Sequence, residues 1–251
     1  WDLLFRPRTA AILGRSLLLM VTVTATSVAL AVPLAWLTVR TDLPFRRLWA
    51  ILTTLPLVIP SYIGAFLILS ALGPRGLLLQ LVEGPFGIDR LPDIHGLAGA
   101  TITLSLLSYP YILLTARGAM RSLSPALEES AQGLGHGVGS TLFRVVLPQL
   151  RPAIVAGSLL VALYTLSDFG AVSLMRFETF TWAIYQQYQS ALDRSIAAVL
   201  SLALVALALG ILVLEGFSRG RLRYYTSGGA ARKPQPVRLG RWKWPAVAFC
   251  T

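Results

Sequence analysis

The stretch Ser124–Ile154, SPALEESAQGLGHGVGSTLFRVVLPQLRPAI, interrupts a chain that otherwise reads as one apolar run after another. Ser124 is a favourable N-cap and Pro125 a favourable first helical residue, so a short helix is expected there, with Glu128 and Glu129 near its positive end. Leu127, Ala131 and Leu134 fall at i, i+4 and i+7 and define a narrow apolar face. Gly133, Gly135, Gly137 and Gly139 then break the helix, and Ser140 can cap a second one that Pro148 ends. The expected product is a helix, a hinge and a helix lying across one membrane face. On physical grounds alone an ordinary interfacial loop, its glycines flexible and its charges in water, fits these features equally well.

The composition around this segment is that of a polytopic membrane protein. With 55% hydrophobic and 13% charged residues and a mean hydropathy of +0.67, the chain cannot cover a soluble globule with polar surface. Windows of about 20 apolar residues give five expected spans: Ser16–Val39, Leu48–Leu72, Leu97–Ala116, Ala153–Leu174 and Ile196–Leu214. The first is too long for a signal peptide and ends in TVRTDLPFRR rather than a small-residue cleavage site. Pro33, Pro56, Pro60 and Pro110 fall inside the spans, which lipid tolerates only where neighbouring helices satisfy the freed carbonyls. Thr22, Thr24, Thr26, Ser27, Gly64 and Gly157 would let those helices approach closely.

Basic residues orient the spans. The Arg40–Arg47 loop, the Arg117–Arg151 segment and the tail from Arg219 hold three, four and eight of the 22 Lys and Arg residues, so they are expected on the cytoplasmic side. Most acids, among them Glu83, Asp89, Asp93, Glu178 and Asp193, fall in the opposite loops. The net charge of +11 is therefore read as topology and not as a nucleic-acid footprint. The expected organisation is a membrane domain over residues 1–218, a basic cytoplasmic linker over 219–244, and the start of a further span over 245–251. The chain begins at Trp1 without a methionine and reads as part of a longer one.

The order Glu129, Ser130, Ala131, Gly135, Val145, Leu147, Pro148 resembles the EAA motif of ABC importer permeases, E-A-A-x3-G-x9-I-x-L-P, with Ser130 and Val145 as departures. The stretches AWLTVRTDLPFRRLWAILTTLPLVIPSYIGAF and SDFGAVSLMRFETFTWAIYQQY look like the ferric-iron branch of that family, in which two such halves are commonly fused. The resemblance implies an all-α, five-span permease core with a cytoplasmic coupling-helix loop, in a bacterial inner membrane. It also implies an extra span before Trp1 and a second permease half, ABC ATPase subunits that receive the EAA segment, and an extracytoplasmic solute-binding protein. On this reading Leu127, Ala131 and Leu134 supply contact area, Glu129 selects a basic partner group beside Glu128, and Gly135 sets the angle between the short helices. Thiamine, phosphonate and polyamine permeases are the alternatives within the class.

Other chemistries find little support. No G-x4-G-K-[ST] phosphate loop is present, so ATP would be hydrolysed on another subunit, and no cofactor is expected. His95, His136 and the lone Cys250 make no recognisable metal site or internal disulfide, and the spans hold no catalytic constellation for an intramembrane enzyme. A passive channel would have no use for a coupling loop. The DFG triplet Asp168–Gly170 lacks every other kinase signature. Phe180, Trp182, Tyr185 and Tyr188 read as an interfacial aromatic belt, and Arg117 and Arg121 as anchors to the inner leaflet. Asp168, with Tyr164 at i−4, is expected well inside the fourth span. There it would pair with a base such as Arg176, sit at the interface if the span ends a turn earlier, or line a translocation path for a cationic cargo.

Overall fold

The computed structural model describes residues 7–74, 76–79, 93–190, 195–219, 237, 240 and 243–250. The expected outer acids Glu83, Asp89 and Asp193, and most of the 219–244 linker, lie outside them. The elements are α1 (Pro7–Arg40), α2 (Arg46–Leu52), a 3-10 turn (Leu55–Val58), α3 (Ser61–Leu72), α4 (Leu97–Ser122), α5 (Pro125–Gly133) and α6 (Val138–Thr141). A π-turn (Leu142–Val146), α7 (Leu147–Ser167), α8 (Gly170–Leu174), α9 (Phe180–Ser190), α10 (Ser195–Arg219) and α11 (Lys243–Cys250) follow. Among the described residues, five helical stretches are long and apolar enough to cross a membrane: Pro7–Arg40, Ser61–Leu79, Leu97–Ser122, Gly139–Ser167 and Ser195–Gly216.

Three spans begin elsewhere than expected: the first already at Pro7 rather than Ser16, and the second and fourth at points that proline chemistry explains. The second starts at Ser61 and not at Leu48. Pro56 sits in the 3-10 turn and Pro60 immediately precedes α3, where its carbonyl accepts the Gly64 amide at 2.9 Å, so each proline falls where a missing N–H costs least. Leu48 instead belongs to the separate α2. The fourth span begins before Ala153, because Pro148 does not end a helix. The π-turn ahead of it lets the Leu147 amide reach back to the Leu142 carbonyl, and Pro148 enters α7 in the first turn, where no i−4 donor is needed. Pro33, Pro110 and Pro152 are accommodated inside α1, α4 and α7.

The centre of the bundle is α4, packed between α1 and α7. Leu104, Ile112, Leu113 and Met120 of α4 are fully buried, as are Leu19 and Val23 of α1 and Leu150 and Val161 of α7. Hydroxyls line the α1–α4 seam: Thr22 and Thr101 are 3.1 Å apart, Ser27 and Ser108 3.4 Å, and Ser105 donates to the Val23 carbonyl. Such small polar residues hold helices together where lipid offers no hydrophobic drive between them. Thr26 differs from the expectation, because it is exposed and bonds its own helix at the Thr22 carbonyl. Gly157 brings α7 onto α4 so closely that a Cβ there would lie 2.6 Å from the Ile112 Cα. At the periphery, α10 turns Leu202, Val205, Leu209, Val213 and Leu214 outward, a face suited to lipid or another subunit.

Candidate functional site

The segment between α4 and α7 lies at the end of the bundle that carries Arg40, Arg117 and Arg121. Ser124 occupies the N-cap position of α5 and Pro125 its first turn, although the Ser124 side chain makes no capping bond. Leu134, Gly135 and His136 close the helix: the His136 amide donates to the Ala131 carbonyl at 3.1 Å and the Gly135 amide to Gln132 at 2.9 Å. That bond pair is a Schellman turn, and it requires a left-handed residue at its centre. Gly135 supplies it with φ +88, whereas Gly133, Gly137 and Gly139 are not among the residues with positive φ. The hinge is thus one glycine and not four.

Past the turn, the chain does not make an isolated second helix. Val138–Thr141, the π-turn and α7 run on as one helical rod into the membrane domain, and Ser140 does not cap it but faces His136 Nδ1 at 3.3 Å. Val145, Leu147 and Pro148 lie half-buried in this rod. The turn is therefore joined to the fourth span by continuous helix.

The apolar stripe expected along α5 is divided. Ala131 is buried, but Leu134 lies beyond the helical residues and is 83% exposed. Leu127 is on α5, and its side chain is outside the described set. Glu129 and Ser130 are exposed, Ser130 bonding the Ala126 carbonyl, and Phe143 across the turn is 68% exposed. Glu129, Leu134 and Phe143 thus leave a carboxylate and two large apolar side chains exposed on α5, the turn and the rod. Phe143 escaped the sequence reading because it sits among apolar residues that otherwise turn inward.

Glu128 turns the other way. Its carboxylate meets the Arg40 guanidinium, at the end of α1, at 2.7 Å, with the two side chains 16% and 3% exposed. Burial pushes the Glu128 carboxyl above its usual range, Arg40 offsets part of that, and Glu129 adds to the rise. The corner that follows Arg40 gathers two further contacts. Val237 pairs its backbone with Arg40 and Asp42 at 2.8 and 3.1 Å, and Lys243 meets the Asp42 carboxylate at 2.9 Å. Arg117 is not a leaflet anchor: it is 6% exposed, and its Nη1 donates to the Ala50 carbonyl at 2.9 Å. Arg121 is exposed.

At the opposite end, Asp168 is not inside a span. α7 stops at Ser167, and the Asp168 carboxylate accepts the Ala171 amide at 2.9 Å and the Val172 amide at 3.4 Å, capping α8, with the Ser61 hydroxyl as a further donor. The cap explains why this aspartate can be 7% exposed without Arg176 as partner. Thr181 donates to the Asp168 carbonyl at 2.7 Å, tying α9 to the same bend. Tyr164 packs its ring against Tyr111, centroids 5.9 Å apart. The expected aromatic belt also divides. Phe180 is buried, with its amide bonded to Ser16, while Trp182 and Tyr185 gather on Phe169 and Tyr188 is exposed.

The bend gives a sharp expectation. Asp168→Asn keeps an oxygen for the two amides and should lower the melting temperature in detergent only slightly. Asp168→Ala leaves those amides without a partner and should cost about 1–3 kcal/mol. Equal melting temperatures for Asp168→Ala and wild type would refute the capping role.

Residues 27–223 match the family described as binding-protein-dependent transport system inner membrane component, and the chain belongs to that family, the permeases of ABC importers. It is 34% identical over 237 residues to the Fe(3+)-transport system permease protein FbpB 2 of Haemophilus influenzae, covering 94% of this chain and 43% of that one. It is 31% identical over 216 residues to the molybdenum transport system permease protein ModB of Escherichia coli, covering 82% of this chain and 93% of that one. The chain therefore spans less than half the length of the iron relative. The fold is shared with a bacterial ABC transporter involved in alginate import, with a TM-score of 0.70 at 18% identity over 88% of this chain and 82% of that one. It is also shared with the MetNI methionine ABC transporter, with a TM-score of 0.64 at 15% identity over 87% of this chain and 100% of that one.

Proposed function

We propose that this chain is the membrane-spanning half of an ATP-driven importer, that α5 and the Gly135 turn dock on an ABC ATPase at the cytoplasmic face, and that the cargo is ferric iron. The observation that carries the docking role is the turn itself. It exposes Glu129, Leu134 and Phe143 at its surface and continues as an unbroken helix into the fourth span. These residues hold no G-x4-G-K-[ST] phosphate loop, and the motor is assigned to an ATPase subunit. A second permease half, on this chain or another, and an extracytoplasmic solute-binding protein complete the assembly. An alginate transporter with the same fold was crystallised with its periplasmic protein, which supports that partner. The cytoplasmic assignment of the docking end rests on its basic residues.

Iron is favoured over molybdate and sulfate by the extent of the match, which runs over 94% of the chain for the iron relative against 82% for the molybdenum one and 68% for a sulfate relative. Tyr164 and Asp168 are placed beside the path as part of the same proposal. With its oxygens already engaged, Asp168 serves there by holding the α7–α8 bend.

The test uses the full transporter expressed with its ATPase. Glu129→Lys reverses the exposed charge and should reduce co-purification of the ATPase at least tenfold while leaving the permease inserted. Unchanged co-purification would remove the docking role. Cells relying on this transporter should accumulate radiolabelled ferric iron and neither molybdate nor sulfate. Accumulation of either oxyanion would remove iron as the cargo.

A further inference from the structure

The buried pair between α5 and α1 is explained neither by docking on a partner nor by the need for stability. Glu128 faces away from the exposed patch and meets Arg40 with both side chains largely withdrawn from water. Arg40 Nε has no hydrogen-bond partner among the described residues, and the 2.7 Å approach lacks the alignment of a full hydrogen bond. A buried ion pair so incompletely satisfied is a poor source of net stability, since desolvation of both charges offsets their attraction. What such a pair does well is fix one arrangement, because any slip leaves a charge buried and alone.

Its location gives that arrangement a use. α5 is joined to α7 through the Gly135 turn and the rod, and it packs on the π-turn of that rod, whereas among the described residues Glu128 ties it to the end of α1. Arg40 is the last residue of the first span, so a force on α5 passes through the pair to the end of α1. The same corner holds Val237 and Lys243, which lead into α11, whose Ala246 and Cys250 belong to the apolar core. We propose that Arg40 and Glu128 are positioning residues whose buried pair locks the docking helix to the end of α1, so that displacement of α5 moves the first span together with the fourth. The proposal rests on the docking role of α5 and adds a second route by which its motion enters the bundle.

The experiment uses the assembled transporter in nanodiscs, with Cys250→Ser and spin labels at the exposed positions Arg47 and Gln132, which report on α2, packed against α1, and on α5. Interspin distances are measured without nucleotide and with ATP and vanadate. In the otherwise unaltered protein the distribution should stay narrow and keep its centre in both states, because the two elements move as one. Arg40→Gln and Glu128→Gln should each broaden it at least twofold and make its centre depend on nucleotide. The charge exchange Arg40→Glu with Glu128→Arg should narrow it again, a rescue that a general packing defect would not give. The apolar pair Arg40→Met with Glu128→Leu retains bulk without charge. If the exchange does not assemble, a broad distribution in the apolar pair supports the lock and a narrow one overturns it. Lys243→Gln, which alters only the partly exposed neighbouring pair, should leave the distribution unchanged. Narrow, nucleotide-independent distributions in both single neutralisations would overturn the proposal. The docking reading fails separately, by loss of no ATPase in Glu129→Lys.

Discussion

In the assembled transporter, Gly135→Val is expected to leave the permease in the membrane and to weaken its ATPase association by about tenfold or more. The space around Gly135 is open, with no atom within 4 Å of where a Cβ would stand, so steric crowding is not the cause. The cause is the backbone. At φ +88 a β-branched residue pays about 1–2 kcal/mol or more, and the Schellman bonds from Gly135 and His136 cannot form if it relaxes to negative φ. Unwinding the turn moves the exposed Leu134 and re-aims the rod that leads into α7. Since about 1.4 kcal/mol is tenfold in affinity, the strain alone reaches that loss. Gly135→Asn should recover a substantial part, because asparagine visits the left-handed region more readily. Co-purification and nucleotide hydrolysis of the reconstituted complex measure both variants, and equal behaviour of the valine and asparagine proteins would overturn the backbone argument.

Gly157→Val is expected to have the larger effect on the fold. A Cβ at Gly157 would stand 2.6 Å from the Ile112 Cα, a backbone atom in the middle of the central helix, and equally close to the Thr115 hydroxyl. Neither helix can yield locally, so α4 and α7 must separate, opening the seam filled by Ile112 and Val161. Overpacking of this kind costs about 1–3 kcal/mol and sometimes more. By the scaling of soluble chains of this length that is a fall of about 2–12 °C in melting temperature. Gly64 provides the comparison. There the nearest atoms are the Leu107 methyls at 2.7 and 2.9 Å, ends of a side chain that can rotate, so Gly64→Ala should cost less than Gly157→Ala. Gly118, with nothing within 4 Å, should accept alanine at no cost and with a gain in helix propensity. A melting order other than Gly118, Gly64, Gly157 from mildest to most severe would contradict this packing.

Five spans, their basic end and the glycine-centred turn were all legible in the residues themselves. Long apolar runs have one stable outcome in lipid, because every backbone group must be satisfied within the segment, and Lys and Arg distribution sets the end. The Glu129-to-Pro148 spacing marked this segment by its resemblance to a family motif, and the Gly135 turn could be read there because a Schellman turn is built within a few residues. Composition could not say where an apolar run stops being one helix. Leu48–Leu72 and Ala153–Leu174 read as single spans, yet Pro60 and Asp168 divide them, the first by a missing donor and the second by drawing the Ala171 and Val172 amides onto its carboxylate. Pro148 read as a stop, yet the π-turn before it carries the helix through. Tertiary structure alone decided which carboxylate of the Glu128–Glu129 pair is buried and which stays exposed. The neighbours are chemically equivalent in sequence, and only the end of α1, distant in the chain, places Arg40 against Glu128 and leaves Glu129 in water.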